Sequence, residues 1–167
     1  MSSNLKNKIN SIYIYNAIVL FFIPLILIAF SGEYRSSISN YAYSDVNNLF
    51  VLLLTIAGTL FINNGITSNK FYNIILGASL YGVALTPHQD FPFLHYLFAG
   101  IFFLGSVFVM IYYSSQKQRK YKIIAGVFIN IAMVLPIFNI YNLLVAEWIA
   151  LLPICLHFVG ESLNKID

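Results

Sequence analysis

Two histidines and two acids, His88, His95, Asp45 and Glu147, give this sequence its main candidates for chemistry. Imidazole and carboxylate groups together can transfer protons or hold a divalent metal such as zinc. His88 and His95 are therefore the candidate metal ligands, and Glu147 and Asp45 are the candidate catalytic residues. No nucleotide-binding loop, zinc-finger spacing or nucleophile elbow accompanies them in the sequence. The residues thus indicate a polar site without specifying a reaction.

Glu147 most needs an explanation, because it lies in an otherwise apolar segment. A charged side chain at the centre of a membrane-spanning helix costs about 2.5 to 3.5 kcal/mol on insertion scales, and less near the interface. Such a residue usually faces a partner or a watery cavity. Trp148 beside it indicates a depth near the membrane interface. Arg35 is the natural ion-pair partner if its segment folds back over the helices.

The first polar segment, residues 31–46, supplies three candidate binding residues, Ser37, Ser39 and Arg35. It is too polar to cross a membrane. Its mixture of serines, tyrosines and single apolar residues favours a segment that lies at the interface or dips back into the helices.

Further polar residues flank the predicted helices on the same side. Ser44 is expected to cap the second helix, and Asp45 is expected to complement the dipole of its first turn. Asp90, the fourth candidate binding residue, lies between Pro87 and Pro92, which restrict the backbone around it. Such stiffness suits a binding site, and it also suits a plain helical hairpin.

The elements that position these residues follow from composition. The 167 residues are 59% apolar and 9% charged, whereas charged residues supply roughly a quarter of an ordinary soluble domain. With a mean hydropathy of +0.79, the chain is predicted to be an all-α polytopic membrane protein, a single transmembrane domain over residues 1–167 with six helices in one bundle. The predicted spans are 12–30, 47–62, 71–86, 93–113, 121–140 and 143–160.

Loop charges orient this bundle. Six spans place every Lys and Arg except Arg35 on the side of the two termini. The positive-inside rule then predicts cytoplasmic N- and C-termini in the cell (cytoplasmic) membrane, with His88, His95 and Glu147 toward the outer face. The basic residues are too scattered for nucleic-acid binding, so membrane lipids and further copies of the chain are the expected partners.

Short motifs along most of the chain resemble a broad group of uncharacterised bacterial multi-span proteins. These are in turn similar to six-helix proteins of the damage-regulated autophagy modulator type. The resemblance implies a six-helix fold and no reaction. The residues that carry it are Ser37, Ser39, Asp45, Leu94, His95, Ala99, Phe102 and Phe103.

A second similarity is to the alkaline ceramidase and adiponectin-receptor hydrolases, in which histidines hold zinc with Ser and Asp assisting. It offers as counterparts Ser37, Asp45, His88 and His95. Those enzymes carry an H-x-x-x-H pair in their last span, whereas this chain has only His157 there, predicted on the opposite side of the membrane. A metal site would therefore combine His88 and His95 with carboxylates.

Three functions are compatible with these residues. The favoured one is non-catalytic: a transport, channel-like or membrane effector role that uses a polar histidine and carboxylate pocket at the outer face. The first alternative is a metal-dependent membrane hydrolase acting on a lipid or another amphipath. The second is a structural or partner-binding membrane subunit. The sequence demands no cofactor, and a divalent metal such as zinc is the one that the candidate set could hold.

Overall fold

A computed structural model describes the backbone of residues 3–162 and the side chains of residue 11 and residues 14–160. Within these residues every regular element is helical. The α-helices are α1 (Ser3–Ser31), α2 (Asn47–Thr67), α3 (Phe71–Leu85), α4 (Pro92–Tyr112), α5 (Gln116–Val134) and α6 (Leu143–Ser162). Two short 3-10 helices, η1 (Ile38–Tyr43) and η2 (Leu135–Phe138), lie in the connections after α1 and after α5.

Five of these helices, all except α3, are long and apolar enough to cross a membrane. The prediction of an all-helical chain is therefore confirmed for the described residues, and five helices of this length and composition fit a multi-pass membrane protein. At 15 residues, α3 measures about 22 Å at the usual rise per residue, which is shorter than a hydrocarbon core of about 30 Å.

The second span is longer than predicted, because α2 continues to Thr67 and leaves only residues 68–70 as its connection to α3. Asn64, expected in that connection, is helical and buried. Its Oδ1 accepts a hydrogen bond of 3.1 Å from Nδ2 of the buried Asn73 on α3. This interhelical hydrogen bond supports the longer hairpin, although the buried Oδ1 of Asn73 has no hydrogen-bond partner among the described residues.

The fifth span begins earlier than predicted, so its basic residues belong to a helix and not to a loop. Lys117, Arg119, Lys120 and Lys122 lie in the first two turns of α5. At its other end α5 stops at Val134, and Asn139 takes the left-handed backbone conformation that closes η2 (φ 56°).

Three connections meet at one end of the bundle, which we call the loop end: residues 32–46, 86–91 and 139–142. The backbone N–H of Leu144 donates to the carbonyl of Ser36 at 2.8 Å, and that of Gln89 donates to the Tyr43 hydroxyl at 2.6 Å. The connections 68–70 and 113–115 lie at the other end, which we call the basic end.

Between these two ends, the helices are held together by packing of their side chains and backbones. The backbones of α2 and α3 touch, since a Cβ added to Gly77 would lie 2.5 Å from the carbonyl oxygen of Gly58. Small residues permit such close approach between membrane helices. Helix α6 is joined to α1 where the Trp148 indole donates to the Phe21 carbonyl at 3.0 Å. The side chains buried most deeply between helices include Leu20, Leu27, Phe50, Phe61, Leu76, Leu144 and Ile154.

Candidate functional site

The segment after α1 folds into the helices, as the sequence predicted for one of its two alternatives. Helix η1 begins where the Ser37 hydroxyl accepts the backbone N–H of Asn40 at 3.1 Å. Ile38, Ser39 and Tyr41 within it are buried. The segment is thus part of the bundle's interior at the loop end.

Glu147 holds this segment in place. The residue is only 9% exposed, and its Oε2 accepts the backbone N–H of Ile38 at 2.7 Å. The expected ion pair with Arg35 was wrong: Arg35 Nη2 lies 2.5 Å from Oε2 of Glu33, close to the surface. Arg35 precedes η1, the turn that enters the bundle, so its side chain stays near the surface. The backbone amide of Ile38, inside η1, reaches Glu147 instead.

The capping predicted for Ser44 was also wrong. The Ser44 hydroxyl donates to the carbonyl of Tyr41 at 2.8 Å and so closes η1 rather than opening α2. Val46 is the first flanking residue of α2 and makes no side-chain cap. Because η1 runs almost directly into α2, the Ser44 hydroxyl points back toward η1. The Asp45 side chain is exposed.

The two candidate metal ligands are neighbours, with ring centroids 5.6 Å apart. His95 is buried, and its Nδ1 lies 2.7 Å from the carbonyl oxygen of Thr86. Since a carbonyl only accepts, Nδ1 carries the hydrogen, and in the neutral ring Nε2 keeps its lone pair. His88 packs edge-on against Tyr43 of η1, with centroids 5.3 Å apart.

A small cavity lies beneath η1, and we call it the inner cavity. Its volume is about 50 Å³, which exceeds the 10 to 15 Å³ that one water needs. Three polar residues reach it from three different elements, Ser39 of η1, His95 of α4 and Glu147 of α6. The rest of its wall is apolar: Leu20, Ile23, Ile38, Phe50, Leu54, Leu80, Val83, Ala99, Phe102, Phe103 and Leu151.

A larger pocket of about 320 Å³ lies above η1, and we call it the vestibule. All three connections of the loop end contribute to it. The described lining includes no Lys, Arg, Asp or Glu, and nine of its eleven residues carry a hydrogen-bonding side chain. Its lining is Ser36, Ser37, Ser39, Asn40, His88, Tyr96, Pro136, Asn139, Tyr141, Asn142 and Leu143.

Ser39 lines both spaces, and the neighbouring rings of His88 and His95 belong to the vestibule and the inner cavity respectively. The Ser39 hydroxyl lies 3.4 Å from that of Ser37. Polarity therefore falls along one direction, from a vestibule of hydroxyls and amides to an inner cavity of aliphatic and aromatic side chains. Such a gradient matches a molecule with a polar head and an apolar chain.

The remaining candidates stand apart from this gradient. Asp45 lines neither space, and Asp90 is exposed, with its Oδ2 3.5 Å from the Tyr43 hydroxyl. Within residues 3–162, no three His, Cys, Asp or Glu side chains are grouped so as to hold a metal ion. The residues present thus bring two histidines together and add no carboxylate ligand to them.

Sequence reasoning missed part of the vestibule. Residues 141 and 142 fall between the predicted spans 121–140 and 143–160, and Asn139 falls within the first of these two spans. The Asn142 Oδ1 instead caps the start of α6, accepting from Val145 N at 3.1 Å, and it accepts the Tyr34 hydroxyl at 3.3 Å. Two asparagines and a tyrosine within four residues were the signal available for a third polar connection.

Comparison with known proteins identifies a family that covers most of the chain. The family of unknown function DUF7103 matches residues 22–162, which include every residue that lines the vestibule and most of the chain. No curated protein and no solved structure matches the chain significantly.

Proposed function

Because the chain belongs to DUF7103, a family of unknown function, membership assigns no activity, and we propose from the site itself that the protein binds a neutral amphipathic molecule at its loop end. The role is that of a non-catalytic membrane effector or transporter. The observation that carries the proposal is the uncharged polar vestibule that meets an apolar inner cavity at Ser39.

The vestibule favours an uncharged, hydrogen-bonding head. Its serines, asparagines and tyrosines can donate and accept, whereas a charged head would find no counter-ion on its wall. A glycerol or sugar head satisfies such groups. The molecule's chemical class is therefore a monoacylglycerol or a related glycoside.

The inner cavity favours the start of a narrow apolar chain. Its wall is largely aliphatic and aromatic, so entry of a methylene chain removes apolar surface from water or lipid contact and fills empty space. Glu147 and His95 face the junction, where the ester or ether oxygens of an amphipath would lie. With Oε2 held by Ile38, Glu147 also keeps η1 closed over the chain.

Photo-crosslinking in membranes tests this proposal. A monoacylglycerol carrying a diazirine in its chain is expected to label peptides of α4 and α6, and excess unlabelled monoolein should compete. Ala99→Leu places extra volume in the inner cavity and should lower labelling at least about fivefold, because overpacking a filled site costs about 1 to 3 kcal/mol. Gly100→Leu is the matched control, since a Cβ there meets no atom within 4 Å.

The results separate the candidates. Equal labelling of the two variants, or labelling that monoolein does not compete, would reject the amphipath site. The protein would then act as a structural or partner-binding membrane subunit, the remaining non-catalytic role.

We also propose that all six α-helices cross the cell (cytoplasmic) membrane and that both termini are cytoplasmic. The meeting of alternate connections at the loop end supports an up-and-down path. The described Lys70, Lys117, Arg119, Lys120 and Lys122 all lie at the basic end, which supports the same orientation. α3 then crosses where the bilayer is thinned beside its longer partners. Association of copies within the membrane remains part of this proposal.

Sidedness of labelling tests the orientation. Single cysteines replace the exposed Gln89 and, in a second variant, Lys117, in a background with the buried Cys155 changed to Ser. An impermeant maleimide applied to intact cells should label position 89 and not position 117. Labelling of both from one side would overturn the six-span arrangement.

A metal-dependent hydrolase is the second candidate, favoured by the close approach of His88 and His95. The ceramidase-type resemblance also requires Asp45, which lies outside the pocket, and the autophagy-modulator resemblance adds no ligand. The zinc content of protein purified with and without added zinc distinguishes the hydrolase from the binding role. About one zinc per chain, lost in His88→Ala and His95→Ala, would favour the hydrolase, and no bound zinc would reject it.

A further inference from the structure

The side chains that line the vestibule differ in how much of their hydrogen-bonding capacity the protein itself uses. The Tyr141 hydroxyl donates to the carbonyl of Ala132 at 2.9 Å. The Asn142 Oδ1 accepts from the Tyr34 hydroxyl and from the backbone N–H of Val145. These two side chains hold the connections of the loop end together and have little capacity left for a ligand.

Four other lining side chains keep unused capacity. No hydrogen bond joins the imidazole of His88, the hydroxyl of Tyr96 or the side-chain amide of Asn139 to another residue in the described part of the chain. Asn40 donates to the Ser36 hydroxyl through Nδ2, and its Oδ1 is left as an acceptor. The four residues belong to four segments, namely η1, the α3–α4 connection, α4 and the turn after η2. Unused donors and acceptors therefore surround the vestibule instead of lying on one wall.

The size of the vestibule indicates how large a head group it takes. Since one water takes about 30 Å³ of the liquid, a space of about 320 Å³ has room for about ten non-hydrogen atoms, against about six in a glycerol head and about eleven in a hexosyl head. A glycerol head would leave much of the polar wall in contact with water. A single sugar ring fills the space.

The arrangement of hydroxyls on a sugar also matches the wall. A monoacylglycerol carries its few hydroxyls at one end, whereas a hexoside carries hydroxyls around its whole ring. Only the second arrangement reaches unused groups on every side of the vestibule. Tyr96 and Tyr141 add aromatic rings to the lining, and the negative face of such a ring attracts the C–H groups of a sugar.

We propose that the vestibule selects a single hexose as the head of the bound amphipath, so that the ligand is an alkyl or acyl monohexoside. This inference rests on the proposed amphipath site and names its ligand more closely. The ring hydroxyls are bound by Asn40, His88, Tyr96 and Asn139. The glycosidic oxygen lies at Ser39, where the chain enters the inner cavity.

Competition in nanodiscs of dioleoyl phosphatidylcholine tests the head group. The diazirine monoacylglycerol labels the site, and decyl glucoside or the decyl ether of glycerol, which carry the same chain, competes with it. We expect the glucoside to halve labelling at a concentration at least about fivefold lower, because its additional hydroxyls find partners that glycerol does not reach. Equal potency of the two competitors would overturn the hexose head and leave the amphipath site standing. Competition by neither would reject both.

A first pair of variants tests the placement of the sugar. Asn139 has a left-handed backbone (φ 56°) that glycine adopts readily, so Asn139→Gly removes the amide and keeps the turn. Affinity for decyl glucoside should fall about fivefold, and affinity for the glycerol ether should change less than about twofold. Asn69→Gly is the matched control, because Asn69 is also left-handed (φ 54°) and lies at the basic end. Equal losses for both ligands in Asn139→Gly would overturn the proposal.

A second pair tests one hydroxyl on α4. Tyr96→Phe keeps the aromatic ring and removes the hydroxyl, so it should weaken glucoside binding about threefold. Tyr112→Phe is the control, since Tyr112 lies on the same helix, is equally exposed at 62% and is remote from the vestibule. The same glucoside affinity in both variants would mean that the sugar does not lie against Tyr96, and the proposal would fall.

Discussion

The loop end and the α2–α3 hairpin that builds much of the basic end are held together by contacts of different range in the sequence. At the loop end, hydrogen bonds join segments remote in the sequence: the amide of Ile38 and the acid that accepts it are 109 residues apart. In the hairpin, partners are near neighbours, as with Asn64 and Asn73, nine residues apart, and two helix backbones touch through Gly58 and Gly77.

This difference explains where a site can form. An irregular segment inside a membrane bundle must find partners for its backbone groups, and Glu147 supplies one for Ile38. Polar side chains are therefore gathered where the chain is irregular, and cavities remain between them. The tightly packed hairpin contributes only apolar side chains to the inner cavity, namely Phe50, Leu54, Leu80 and Val83.

The largest effect is expected in the hairpin. Gly77→Val places a branched side chain 2.5 Å from the backbone oxygen of Gly58, which cannot yield, so the free energy of unfolding should fall by about 3 kcal/mol. Denaturant unfolding in micelles measures it. Gly100→Val is the control, with open space at its Cβ, and an equal loss in both variants would contradict the close contact.

The second-largest effect is expected at Glu147, the acid that holds η1. Glu147→Ala leaves the buried amide of Ile38 without its acceptor and should cost about 2 kcal/mol. Hydrogen exchange at the amide of Ile38 should accelerate with it, while the hairpin stays protected. Glu147→Gln keeps an acceptor oxygen and should retain most protection; if it behaves as the alanine variant does, the charge and not the hydrogen bond matters.

A smaller effect is expected where η1 meets the α3–α4 connection. Tyr43→Phe removes the hydroxyl that accepts from Gln89 and should cost about 1 kcal/mol. Faster amide exchange at Gln89 is the readout. Tyr121→Phe, at an exposed position of the basic end, should change neither quantity, and a matching loss there would show that the hydroxyl contact is not specific.

The smallest effect distinguishes the observed ion pair from the expected one. Arg35→Gln breaks the surface pair with Glu33 and a long hydrogen bond of 3.5 Å from Arg35 Nη1 to the Asn40 carbonyl, and it should change the free energy of unfolding by less than about 1 kcal/mol. The same denaturant titration measures this change. A loss of several kcal/mol would instead mean that Arg35 compensates a buried charge such as Glu147.

Hydropathy predicted the helices well, and it failed mainly at the C-terminal end of α2 and at both ends of α5. The start of α6 at Leu143 and of α2 at Asn47 agree with the sequence, because apolar runs and polar breaks are local properties. α2 runs past Asn63 because Asn64 finds a partner on α3, and a partner on another helix cannot be seen in a local pattern.

The sequence predicted which types of residue form the site better than it predicted the contacts between them. The sequence by itself determined that Glu147, His88, His95, Ser37 and Ser39 would lie toward the same end, since alternate connections of a helical bundle share a side. Only the tertiary structure decided that Glu147 accepts from Ile38, that His95 donates to Thr86, and that Ser39 joins two cavities. Those contacts depend on how far η1 enters the bundle and how the helices rotate against one another, and both are set by packing between segments that no local pattern relates.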